Sequence, residues 1–199
     1  MKTVGVGLNR TGTSTLGVCL QHWGMKHISC NREALELWRE QDVAALLQWV
    51  AQYDSFEDWP WPLLYREIDA AFPGTKFILT RRKDPTIWFK SLGKHADRTG
   101  PTDFRKYIYG HAMPHKFREQ HIRFYLRHND SVRQYFRDRP DDFIEVCWEE
   151  GDGWEELSRF LGLAHPKIPI PHANKSPTLQ DKMEVLYGRL RHVVLGKAG

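Results

Sequence analysis

Val4-Gly5-Val6-Gly7-Leu8-Asn9-Arg10-Thr11-Gly12-Thr13-Ser14-Thr15-Leu16 runs from a short apolar strand through a polar, glycine-punctuated turn into a helix. Such a turn suits a phosphate cradle. Glycine lets the backbone wrap around an anion, and the first amides of the following helix supply unpaired donors and the positive end of the helix dipole. Arg10 adds a fixed charge, while Thr11, Thr13, Ser14 and Thr15 add hydroxyl donors. Gly7 and Gly12 keep the spacing of the nucleotide-triphosphatase P-loop, but Thr13 stands where that motif has its lysine. The stretch reads as a holder of phosphate that departs from ordinary ATP chemistry. The plainer alternative is a strand-to-helix turn in which Gly and Thr serve only as turn and cap residues.

Outward from this stretch, apolar strands alternate with helical segments, the pattern of a parallel α/β sheet. Strands are expected at 3–7, 26–30, 53–58, 76–80 and 143–147. Helices are expected at 13–23, 32–52, 63–72, 85–92, 103–109, 116–136, 154–161 and 183–194. Within 32–52, Leu35, Trp38, Val43, Leu46, Leu47 and Val50 keep helical spacing on one apolar side. Within 116–136, Ile122, Tyr125, Asn129, Val132 and Phe136 do the same. No repeat or linker divides the chain, so residues 1–199 are read as a single domain. In open α/β sheets the ligand lies outside the carboxyl ends of the strands. The loops 8–14, 58–62, 81–85 and 148–153 therefore converge on one edge.

Composition narrows the class. The 199 residues are 41 % hydrophobic and 27 % charged, which suits a soluble globular domain with a substantial core. Eight Trp, ten Phe and seven Tyr favour aromatic-lined pockets as well as core packing. A net charge of +4 suits an anionic ligand, but Lys and Arg are interleaved with acids and form no long basic run. Nucleic-acid binding is not indicated. Cys19, Cys30 and Cys147 lack metal-ligand or disulfide-framework spacing, so a reducing compartment is expected. With a strand beginning near Thr3 and no apolar run of ~20 residues, neither a signal peptide nor a membrane span is expected. The expected location is cytoplasmic.

The clearest strand opens the stretch 76–92, KFILTRRKDPTIWFKSL. Arg81, Arg82 and Lys83 at the strand's carboxyl end form a second candidate anion site, with Ser91 about two turns into the following helix. Alone, such a cluster reads as solvated charge, with Asp84 capping the helix. Paired with the first loop on the same sheet edge, it implies a ligand phosphorylated at two places.

With both motifs in view, the chain resembles the sulfotransferases that use 3′-phosphoadenosine-5′-phosphosulfate (PAPS), and most closely their bacterial branch. The resemblance implies a three-layer α/β/α fold with a central parallel sheet, P-loop NTPase-like in topology. It implies that Asn9, Arg10, Thr11, Gly12, Thr13 and Ser14 hold the 5′-phosphosulfate, with Arg10 in place of the family's usual lysine. It also implies that Arg82 and Ser91 hold the 3′-phosphate. The Arg-to-Ser interval is one residue longer than the common pattern, so Arg81, Arg82 and Lys83 remain interchangeable in that role. Residues 143–161, with Trp148-Glu149 and the closing Phe160-Leu161-Gly162, are similar to the family's last core strand and helix. Trp148 is placed at the adenine or in the pocket wall, and Lys175 in a basic loop over the nucleotide.

The family also carries a base between the two sites, and Asp58-Trp59-Pro60 occupies that slot. An acceptor hydroxyl must lose its proton as it attacks sulfur. Burial among Trp59, Trp61 and Tyr65 is expected to raise Asp58 from its ordinary value near ~3.9. The alternative role for Asp58 is to cap the helix after Pro60. Glu67, Asp69 and His95 are reserve candidates for the base. The implied reaction is in-line transfer to a hydroxyl or amine of a small-molecule or glycan acceptor, with Asp58 and Arg10 as the catalytic pair and no metal. Lys94–Pro140, rich in His, Arg and aromatics, is expected to cover the acceptor. His95, His111, His115, His121 and His128 are too irregular for a metal site, and most are expected at the surface. Two other readings stay open: a P-loop kinase or nucleotide-binding protein, and a catalytically inert nucleotide-binding module on the same fold.

Overall fold

Lys76–Thr80 is buried along four of its five residues, and its side chains split the core in two. Phe77 and Leu79 face one layer and Ile78 the other, because successive strand residues point to opposite faces. A computed structural model of the chain describes residues 1–171 and builds outward from this strand.

Five strands form one all-parallel sheet in the order β2-β3-β1-β4-β5. They are β1 (Thr3–Gly5), β2 (His27–Ile28), β3 (Ser55–Phe56), β4 (Lys76–Thr80) and β5 (Phe143–Val146). The described helices are α1 (Thr13–His22), α2 (Arg32–Arg39), α3 (Val43–Ala51), α4 (Tyr65–Ala71), α5 (Pro85–Thr99), α6 (Asp103–Tyr109), α7 (Arg118–Phe136) and α8 (Trp154–Leu161). On one face, Leu16 and Leu20 of α1 and Leu157 and Leu161 of α8 pack on Ile78 and Val146. On the other, α3, α4 and α7 bring Leu46, Val50, Ile68, Val132 and Phe136 onto Val4, Phe77 and Leu79. This is the three-layer α/β/α arrangement the sequence implies. Each fully buried Leu, Ile, Val or Phe contributes roughly 1.5–3 kcal/mol relative to exposure, so the two faces dominate the fold's stability.

A third apolar cluster lies at the carboxyl edge of the sheet. Leu8, Trp59, Trp88, Leu92, Tyr109 and Tyr125 meet there, drawn from the loops after β1 and β3 and from α5, α6 and α7. From β1 the chain first fills one side of the sheet with β2 and β3, then crosses to β4 on the other side. The loops after β1 and β4 therefore part at a topological switch point, which opens a crevice between them.

Several expected boundaries shift. The 32–52 region is two helices, not one: Gln41 takes a left-handed φ of 61° after α2, and Asp42 caps α3 by accepting from the Ala45 amide at 3.0 Å. Residues 61–63 form a short 3-10 turn ahead of α4, and 115–117 another ahead of α7. Helix α5 runs to Thr99 instead of Leu92. The five histidines between 95 and 128 are mostly not surface residues: His115 is exposed, His121 is buried, and the others are partly covered. His128 donates from Nε2 to the Val6 carbonyl at 2.7 Å, which binds α7 to the sheet. The expected helix 183–194 lies outside the described residues, as does Lys175. No helix among the described residues is long and apolar enough to cross a membrane.

Candidate functional site

Four of the eight described helices close their own first turn with a side-chain cap. Asn31, Asp42, Asp84 and Thr102 each accept a backbone N–H at the start of α2, α3, α5 and α6. Helix α1 does not. Its cap position is Gly12, at φ 91° with no side-chain hydrogen bond, and its first turn holds no acid. The leading amides of α1 are thus left for an outside acceptor, reinforced by the helix dipole.

Gly12 is required twice over, since a Cβ there would collide with the indole of Trp148 and the backbone is left-handed. Gly7 has a different duty from wrapping an anion. A Cβ on it would strike the Thr80 carbonyl and hydroxyl, so Gly7 exists to let β1 and β4 approach as they diverge. Thr11 is fully buried, and its hydroxyl donates to the Leu8 carbonyl at 2.7 Å and meets Thr80 Oγ1 at 2.7 Å. That hydroxyl fixes the loop and is turned away from the crevice. The Asn9 carbonyl accepts from Trp88 Nε1 at 2.9 Å, and Asn9 Oδ1 accepts from the Tyr109 hydroxyl at 2.7 Å.

Held this way, the loop shapes a small cavity of ≈ 90 Å³ lined by Asn9, Arg10, Gly12, Thr13, Ser14, Asp58, Arg82 and His95. An adjoining groove of ≈ 370 Å³ shares Arg10, Arg82 and His95 and adds Ser91 and the exposed face of α5. Sequence positions 10, 58, 82, 91 and 95 are thereby brought together. Of the three cations after β4, only Arg82 lines these spaces. Arg81 is drawn to Glu145 at 3.2 Å and Glu150 at 2.6 Å. Arg82 is clamped: Nε donates to the Arg10 carbonyl at 2.7 Å, Nη1 to Glu149 at 2.8 Å, and its amide to the Tyr125 hydroxyl at 3.0 Å. Arg10, at a left-handed φ of 71°, extends Nε toward Ser91 Oγ at 3.4 Å. The two anion-binding candidates are thus one connected set.

Asp58 is the carboxylate in the cavity. It also has a left-handed backbone, φ 62°, and its Oδ1 accepts the Trp59 amide at 2.8 Å. It therefore does not cap the following helix, since its carboxylate is turned back to its own neighbour. Burial pushes its pKa up to about 7; the neighbouring Glu57 carboxylate adds to the rise, and the Trp59 amide and Arg10 oppose it. Glu57 is itself buried, bonded to the Ser29 hydroxyl, with Oε2 unpartnered among the described residues. Burial and the charges of Arg10, Arg98 and Arg105 bring His95 down to about 4, so it is neutral at pH 7. The Arg98 guanidinium, which can only donate, meets His95 Nδ1 at 3.1 Å. The His95 proton consequently sits on Nε2. Asp69, by contrast, is taken up by Arg139 and the Tyr135 hydroxyl, and neither it nor Glu67 lines the cavity.

A family model described as a sulfotransferase domain matches residues 2–179. The chain belongs to that family. A curated relative, Ava biosynthesis cluster protein M of Aspergillus versicolor, is 27 % identical over an alignment covering 98 % of this chain and 89 % of the relative. The chain is accordingly a transferase of the sulfotransferase class, and the crevice between the loops after β1 and β4 is its candidate active site.

In this sulfotransferase several functional side chains escape sequence reading. Glu149 was visible only as part of a Trp-Glu pair, yet it orients Arg82 from 67 residues away. Tyr109 steadies Asn9 from 100 residues away, and no local pattern marks it. Trp148 packs on Gly12, its Nε1 buried without a partner among the described residues, and it is not among the cavity's lining residues. Among the described residues no cluster of three His, Cys, Asp or Glu is placed to hold a metal ion.

Proposed function

We propose that this sulfotransferase moves the sulfuryl group of PAPS to a hydroxyl or amine of a small-molecule or glycan acceptor, within one domain spanning residues 1–199. The observation that carries this reading is the uncapped start of α1 joined through Arg10 to Arg82 and Ser91. Two anion sites linked across one crevice fit a nucleotide charged at both its 5′ and 3′ positions. PAPS supplies the activated sulfuryl group, and the protein's own residues supply charge and proton transfer. Thr13, Ser14 and the leading amides of α1 hold the 5′ end. Arg82 and Ser91 hold the 3′-phosphate, with Trp148 forming the wall behind Gly12 and Lys175 a further contact to the nucleotide.

Asp58 takes the acceptor proton as the acceptor oxygen bonds to sulfur and sulfur parts from the bridging oxygen. A pKa near 7 suits this duty, because a base works best when its pKa lies near the working pH. Arg10 meets the negative charge left on the bridging oxygen. Its contact with Ser91 Oγ at 3.4 Å supports this duty. Incubation with PAPS and a panel of phenols, alcohols, amines and sugars, with release of 3′,5′-adenosine bisphosphate (PAP) as the readout, tests the reading. Acceptor-dependent release without added metal is expected, with release slowed by about 10²–10⁴ in Asp58→Asn. Release that no acceptor stimulates would contradict it.

A further inference from the structure

Five cationic side chains, Arg10, Arg82, Lys90, Lys94 and Arg98, face a single groove beside the cavity. Three of them stand on α5, where positions 90, 94 and 98 recur at the spacing that stacks side chains on one helix face. Several arginines of the chain, Arg82 of this groove among them, are neutralised by carboxylates. Arg81, Arg82, Arg133 and Arg139 each hold a carboxylate within 4 Å. Among the described residues, Lys90, Lys94 and Arg98 have no such partner. The one acid on this part of α5, Asp97, turns away and pairs with His115 at 2.8 Å. Arg98 makes its contact with the neutral ring of His95 instead.

Lys94 and Arg98 share the groove with Arg82 and Ser91 but stand farther along α5. Arg10, Arg82 and Ser91 account for the two ends of the nucleotide. Lys94 and Arg98 lie one and two turns past Ser91, roughly 5 and 10 Å farther along α5. They flank His95, which lines the cavity together with Asp58. Arg98 lines the same groove as Arg10 and His95, and its like charge lowers the pKa of both. Their groove adjoins the cavity that holds Asp58, with His95 lining both.

We propose that the acceptor of this sulfotransferase is acidic: it bears a carboxylate or phosphate group that Lys94 and Arg98 hold while its hydroxyl lies against Asp58. The inference rests on the donor reading given under the proposed function. An acidic acceptor brought to an anionic donor is otherwise repelled, and two unpaired cations beyond the donor site remove that obstacle. His95 Nε2–H adds a neutral donor between the held anion and the reacting hydroxyl.

Calorimetric binding to the PAP-saturated protein tests this without requiring turnover. The probes are matched pairs: 4-hydroxyphenylacetate and galacturonic acid, each against its methyl ester, and 4-hydroxyphenyl phosphate against hydroquinone. At least about tenfold tighter binding of the acidic members is expected, the scale of one charge-assisted contact. The preference should fall to near unity in Lys94→Gln/Arg98→Gln, and the pairs separate a carboxylate from a phosphate specificity. Equal or weaker binding of the acids, binding of neither member, or a preference that survives the double substitution would overturn the proposal. Failure of PAP itself to bind would instead overturn the donor reading.

Discussion

Arg10 and Asp58 each hold a backbone angle that side chains other than glycine rarely adopt, and both face the same cavity. The strain aims one cation and one carboxylate at a common point. Asp58→Asn is expected to lower kcat by about 10²–10⁴, the range for loss of a general base, with PAP affinity retained. In the parent enzyme kcat/KM should climb as pH rises through about 7, where Asp58 ionises, and a stopped assay from pH 5 to 9 reads that slope. Arg10→Ala should cost about 10²–10³ in kcat, as for loss of one charge-stabilising donor, while Arg10→Lys restores most of it. The sequence made Asn9, Arg10, Gly12 and Asp58 legible because they cluster on strand-end loops. It left the choice among Arg81, Arg82 and Lys83 open, since the acids that divide them, Glu145, Glu149 and Glu150, lie far along the chain.

At the scale of elements, α5 departs most from expectation. The expected end near Leu92 is passed: Gly93 is buried where α5 passes His115, so its smallness serves packing, and the helix runs on to Thr99. Those extra turns carry Lys94, His95 and Arg98, and the reach of the site was therefore only partly readable. The unexpected break between α2 and α3 has a local cause, the left-handed turn at Gln41. Gln41→Gly should stabilise the protein by about 0.5–1 kcal/mol in urea unfolding, because glycine holds that angle without strain. Gly7→Ala should act oppositely and severely. The added methyl meets Thr80 between two paired strands, and overpacking of this kind costs roughly 1–3 kcal/mol or more. The strands themselves were well anticipated, since β4 and β1 are continuous apolar runs of the kind parallel sheets bury on both faces.

Across the whole molecule, Asp58 ties stability to activity in opposite senses. Its pKa in the folded protein, about 7, lies above its ordinary unfolded value near ~3.9. The folded state holds that proton more tightly, so the resulting stabilisation is complete below pH ~4 and lost as pH rises through 7. Thermal unfolding should reveal this as a Tm gap: Asp58→Asn gains several degrees on the parent between pH 5 and 8. Activity gains over the same window. The layered fold and its crevice were legible from strand alternation and the switch-point rule, whereas the cationic face of α5 was not. That charge depends on which arginines find carboxylates, and pairing of this kind is set only in three dimensions.

Calorimetric titration with PAP, with magnesium–ADP as the comparison, tests the central claim most directly. The account predicts metal-independent binding of PAP that weakens about 10–100-fold in Arg82→Ala and also weakens in Arg10→Ala. Binding of magnesium–ADP in preference to PAP, or PAP affinity unchanged by either substitution, would contradict it.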